Sequence, residues 1–237
     1  HNPDPSLGAA YMELKTPAHR RLIFEEFFWL ELYLASKKTG FKKEQGVALK
    51  SDGAKIAALE KSLPFELTNA QKKAFAEIKA DLEKPNPMHR MVQGDVGSGK
   101  TLVSFMAAIF AAESGMQSCL MAPTEILAEQ HFKNAQKLLT PLGLRLGLLT
   151  GKTKAAERKE LLQKLAEGEI DFLMGTHALI EDEVVFKSLA LVIIDEQHRF
   201  GVEQRGILKN KGRSPHFLIM TATPIPRTLA MTVYGDL

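Results

Sequence analysis

The chain has 237 residues, 45% of them hydrophobic, enough for one large α/β domain with a buried core and an appendage. Its 31 basic and 28 acidic side chains leave a formal charge of +3, too small to argue for a nucleic-acid partner on charge alone. The single cysteine, Cys119, excludes an internal disulfide or a multi-cysteine metal site, and no apolar run reaches the roughly 20 uncharged residues of a membrane span.

Residues 1–10 have neither the basic start nor the apolar centre of a secretory leader, and the first residue is His1. The expectation is a piece of a longer cytoplasmic protein. Residues 18–38 are dense in Leu, Phe, Glu, Arg and Lys at helical spacing and predict one long helix. Its rings Phe24, Phe27, Phe28 and Trp29 are expected to pack it against a neighbour. Residues 37–53, charged and holding three glycines, read as a connector leading to a short helix over 56–61. The composition changes near Leu63, which divides the chain into a helical extension, 1–62, and a main domain, 63–237.

Within the main domain, short apolar runs at 89–93, 118–122, 144–149, 170–174, 190–194 and 217–220 alternate with amphipathic stretches of helical length. This alternation is the pattern of βαβ units, so the fold class is α/β, a doubly wound parallel sheet covered on both faces. In such sheets ligands bind in the crevice beyond the carboxyl ends of the strands.

Gly94-Asp95-Val96-Gly97-Ser98-Gly99-Lys100-Thr101 fits the phosphate-loop pattern G-x-x-x-x-G-K-[ST], after one predicted strand and before a helical run. The glycines let Gly94, Gly97, Ser98 and Gly99 turn their N–H groups toward phosphate oxygens, and the dipole of the following helix adds positive potential. Lys100 would neutralise the β- and γ-phosphates, and the Thr101 hydroxyl would ligate Mg2+. Further on, the apolar run 190–194 ends in Asp195-Glu196-Gln197-His198. Two carboxylates at a strand tip suit a division of labour: Asp195 holds magnesium through its water shell, and Glu196 orients and deprotonates the attacking water.

Asp-Glu-x-His in this context resembles the second motif of superfamily 2 helicases and translocases. Ala122-Pro123-Thr124-Glu125 is similar to motif Ia, Gly175-Thr176-His177 to motif Ib, Thr221-Ala222-Thr223 to motif III, and residues 65–71 to the adenine-reading Q motif. The longer strings at 93–101, 121–131 (MAPTEILAEQH), 193–205 (IIDEQHRFGVEQR) and 220–231 (MTATPIPRTLAM) resemble the RecG family. The motor of the transcription-repair coupling factor shares much of them and usually has Glu at the position of Gln197.

The resemblance implies a RecA-like domain that binds ATP and Mg2+, the first of two motor domains. Gln71 would read the adenine edge. His198, Thr221 and Thr223 would couple the γ-phosphate site to a DNA groove. The loops carrying Thr124, Glu125, Thr150, Gly151, Thr176 and His177 would lie along DNA phosphates, although Thr124 also directly precedes a helical run and suits a helix cap. The implied activity is that of an ATP-dependent DNA helicase acting on branched duplex DNA in fork reversal and Holliday-junction migration, as a bacterial cytoplasmic monomer. The second RecA-like domain, with its arginine finger, and the OB-fold wedge are not among these residues, so the chain alone is expected to bind ATP but hydrolyse it slowly. The other readings are the transcription-repair motor and, in a different class, a scaffold domain that binds nucleotide without hydrolysis.

Overall fold

A computed structural model of the chain describes residues 16–41, 45–195 and 202–222. Glu196, His198 and Thr223 lie outside these residues. The chain divides into two compact units, one of residues 1–42 and 225–237, the other of residues 43–224.

In the first unit the described part is helix α1, Pro17–Phe41. Thr16 starts it, its hydroxyl accepting from the His19 N–H at 3.3 Å and its carbonyl from the Arg20 N–H at 3.0 Å. The rings expected to pack against a neighbour are exposed, Phe24 at 66% and Trp29 at 65%, and Phe24 stacks on Phe28 at 5.9 Å. Apolar residues at 22, 23, 24, 27, 28, 29 and 32 point around much of the helix, so no single stripe gathers them.

The second unit is built on a six-stranded parallel sheet: β1 His89–Gln93, β2 Gln117–Met121, β3 Leu146–Leu149, β4 Phe172–Gly175, β5 Leu189–Asp195 and β6 His216–Thr221. The spatial order is β1-β6-β5-β2-β4-β3. Every strand expected from an apolar run is present, with ends shifted by a residue or two. The four inner strands are buried on both faces except at the tip of β5, which is why their sequences are almost continuously apolar.

The helices are α2 Ala54–Ser62, α3 Asn69–Leu82, α4 Lys100–Glu113, α5 Glu125–Leu139, α6 Ala155–Glu167 and α7 Val202–Asn210. The strand period of two sends Leu120, Leu191 and Ile193 into one core with Phe75, Ile78, Phe105 and Phe110 of α3 and α4. Cys119, Met121, Val192 and Ile194 enter a second core with Leu165 and Leu208 of α6 and α7. Helices thus cover both faces, as a doubly wound sheet requires. Helix α4 is buried on all sides from Leu102 to Ala111; each fully buried ring it contributes, Phe105 and Phe110, stabilises the fold by about 1.5–3 kcal/mol.

The compact unit reaches upstream of the edge placed at Leu63 by composition. Leu49, Ile56 and Leu59 are buried in the core of α3 and α4, and the Glu113 carboxylate at the end of α4 accepts from the Lys55 N–H at 2.5 Å, satisfying a donor in the first turn of α2. His216 secures the same connector: its Nδ1 accepts from the Met88 N–H at 2.9 Å, and its Nε2–H donates to the Val47 carbonyl at 2.9 Å.

Candidate nucleotide and nucleic-acid sites

Strand β1 delivers the chain into the phosphate loop and α4 carries it away. Gly97 and Gly99 both hold φ at +83°, a left-handed conformation that costs any other residue strain. Gly99 is the N-cap of α4, so the first amides of a helix buried from Leu102 to Ala111 face the loop. The Lys100 ammonium folds back on the loop and donates to the Gly94 carbonyl at 2.5 Å and the Asp95 carbonyl at 2.8 Å. Carbonyl dipoles only partly balance a full cation, and an incoming phosphate would complete the balance. Asp95, Val96, Gly97 and Ser98 are exposed, so the cradle opens to solvent.

Gln71, at the third position of α3, forms a capping box with Thr68: the Thr68 N–H donates to its Oε1 at 2.9 Å, and its own N–H donates to the Thr68 hydroxyl at 3.2 Å. Its Nε2 donates to the Ser98 carbonyl at 3.0 Å and so braces the phosphate loop. One amide hydrogen and one oxygen lone pair remain for a nucleobase. A cleft of about 500 Å³, lined by Leu63, Pro64, Phe65, Leu102 and Leu138, abuts Gly99 and Thr101.

Asp195 ends β5 two strands away, with β6 between, and Thr221 ends β6 opposite Gln93. The Gly94 N–H donates to the Thr221 carbonyl at 3.3 Å, so the residue expected to couple the site touches the first residue of the phosphate loop. Asp195 receives a hydrogen bond at 2.7 Å from Nε2 of His131, a residue of α5 that the sequence reading passed over. No cluster of three or more metal-ligating His, Cys, Asp or Glu side chains occurs among the described residues. Thr101 and Asp195 carry hard oxygens of the kind magnesium takes, and an ion held by only one or two protein ligands would draw the rest of its shell from water and substrate phosphates, so the residues present fit such an ion.

The other half of the sheet, β2-β4-β3, carries the loops expected on DNA. Met121, Gly175 and Leu149 lie in register, so these loops emerge side by side. The Thr124 hydroxyl accepts from the Leu127 N–H at 3.3 Å and caps α5. The Thr150 hydroxyl accepts from the Lys152 N–H at 3.3 Å, and the side chains of Thr150 and Thr176 are buried. Glu125 pairs with Lys152 at 2.8 Å and stands close to Gly151, binding two of the loops together. Thr124, Gly151 and His177 are the exposed members of the set. Neither the Glu125–Lys152 pair nor the Gln71–Ser98 contact was visible in the sequence: the first joins segments that follow β2 and β3, and the second joins the start of α3 to the loop after β1.

A family model described as DEAD/DEAH box helicase matches residues 68–232, a stretch that takes in α3, the phosphate loop and the tips of β5 and β6; the chain belongs to this family. It is 53% identical over 221 residues to the ATP-dependent DNA helicase RecG of Bacillus subtilis, covering 93% of this chain and 32% of that protein. It is 50% identical over 242 residues to the RecG of Haemophilus influenzae, covering 100% of this chain and 35% of that protein. Among solved structures it is similar to RecG bound to a three-way DNA junction, with a TM-score of 0.83 and 44% identity over 92% of this chain and 29% of that one. The chain spans about a third of the length of these curated relatives. No described helix is long and apolar enough to cross a membrane.

Proposed function

We propose that this chain is the ATP-binding motor domain of a helicase that remodels branched duplex DNA, acting with further domains of a longer protein. The observation that carries the reading is that the phosphate loop with Lys100, Thr221 and Asp195 stand at the carboxyl ends of three adjacent parallel strands, β1, β6 and β5. Lys100 and the loop amides hold the β- and γ-phosphates, Thr101 and Asp195 place Mg2+, and Glu196 activates water. The base enters beside Gly99, where Gln71 offers its remaining donor and acceptor to adenine. Gly94, Gly97 and Ser98 shape the cradle, and His198, Thr221 and Thr223 transmit loss of phosphate across the sheet.

On the β2-β4-β3 half, Gly151 and His177 meet DNA phosphates, with Thr124, Glu125, Thr150 and Thr176 fixing the loops that present them. Such contacts carry no sequence readout, as suits a motor on arbitrary DNA. The likeness to RecG, in sequence and in the junction-bound structure, favours fork and Holliday-junction substrates over an RNA-polymerase partner.

A fluorescent ATP analogue should bind this chain in the presence of Mg2+, and Lys100→Ala should weaken it about 10- to 100-fold, the value of one charge-assisted contact. Turnover by the chain alone should stay slow with or without four-way-junction DNA, because an arginine finger supplied from elsewhere contributes about 10³–10⁵ in rate. Rapid unaided turnover would refute the split site.

A further inference from the structure

We infer that His131 is a positioning residue that sets the orientation of the Asp195 carboxylate and thereby the strength of the metal site. The inference rests on the proposed reading of Asp195 as a magnesium carboxylate. Helix α5 turns Ala128, Ala135 and Leu139 inward, and His131 is buried with them at 7% exposure. At that place in an apolar stripe, an imidazole loses its water and gains little from packing that a leucine would not supply. Its compensation is a single hydrogen bond. Nε2 lies 2.7 Å from Asp195 Oδ2, with the two side chains 9% and 13% exposed, and Nδ1 has no partner among the described residues.

A carboxylate only accepts, so Nε2 carries the hydrogen and donates. With Oδ2 held in this way, the carboxyl plane is fixed and the second oxygen is left for the hydration shell of the ion. Without the bond, the side chain at the strand tip turns about its own torsions, and a metal partner must bear the entropy of ordering it. Outer partners that orient a ligand in this manner are typically worth about 10- to 100-fold in metal affinity. His131 also lies six residues into α5, about 9 Å along the helix from the Thr124 loop, so the carboxylate is tied to the helix that begins at the proposed DNA edge.

The test uses this chain saturated with a non-hydrolysable ATP analogue and titrated with Mn2+, free ion being read by its EPR signal. His131→Leu should weaken Mn2+ retention about 10- to 100-fold while metal-free binding of the analogue and the thermal midpoint stay near wild type. His131→Gln, whose amide nitrogen reaches the place of Nε2, should recover most of the affinity. His131→Asn, equally polar but too short, should not. Because Gln and Asn burden the fold alike, their contrast holds even where the leucine variant is unstable. Equal Mn2+ affinity in wild type and all variants, or equal loss in Gln and Asn, overturns the assignment. Failure of the wild-type chain to bind the analogue at all is a different result: it removes the nucleotide site itself.

Discussion

Replacing Gly99 and Gly97 separately by alanine isolates what Gln71 does. Both glycines have φ +83°, so each substitution incurs the left-handed penalty of about 1–2 kcal/mol. At Gly97 a new Cβ would meet nothing within 4 Å, and the penalty ends there. At Gly99 the same atom would stand 2.2 Å from Gln71 Nε2, so the carboxamide must leave its place. That displacement breaks the bond to Ser98 and strains the one from Thr68, at about 1 kcal/mol each. The totals are about 1–2 kcal/mol for Gly97→Ala and about 2–4 kcal/mol for Gly99→Ala. In a chain of this size they lower the thermal midpoint by roughly 2–8 °C and 4–16 °C. Differential scanning calorimetry without nucleotide reads both. In a Gln71→Ala background the two substitutions should cost the same. If they already cost the same in the wild-type chain, Gln71 does not brace the loop and the reasoning fails.

Two further outcomes follow from buried groups. Desolvation holds the His216 pKa below its ordinary 6.5 against the opposing pull of the Val47 carbonyl, so the folded state prefers the neutral ring. The stability this gives is complete above pH 6.5 and is lost as pH falls through the lower folded value, so midpoints measured from pH 7.5 down should drop below 6.5. His216→Gln should be less stable throughout but flatter over that window, and an unchanged slope would exclude His216 as the titrating group. The Cys119 thiol, fully buried, is pushed up to about 12, so iodoacetamide should leave it unmodified until denaturant unfolds the chain; modification of the native protein by mass spectrometry would contradict its burial.

The strands were legible because inner parallel strands must be apolar on both faces, and the phosphate loop because its glycines and lysine carry the chemistry in a contiguous string. What escaped were contacts created by strand order. His131 and Asp195 are 64 residues apart and meet because β2, which leads into α5, lies next to β5. The side chains of Thr150 and Thr176 are residues a motif would place on DNA, yet both are buried, since a hydroxyl written in sequence gives no sign of which way its loop folds. The edge drawn at Leu63 followed a change in composition, whereas Leu49 and Ile56 reach the core singly from a polar connector and leave no periodic trace.

At the end of the sheet away from the loops, Gln117 uses its whole carboxamide. Its two N–H groups donate to the Leu165 and Ile170 carbonyls at 3.0 and 2.8 Å, and its oxygen accepts from the Ser188 N–H at 2.9 Å. With His216 tying Met88 to Val47 on the same side, the sheet resembles a cantilever, clamped where its strands begin. The opposite end is joined differently, by single contacts between neighbouring tips: Gly94 to Thr221, His131 to Asp195 and Lys152 to Glu125. A group that shifts at one tip therefore has a hydrogen-bonded or ion-paired neighbour at the next, whereas the start of the sheet is pinned by several bonds from one side chain.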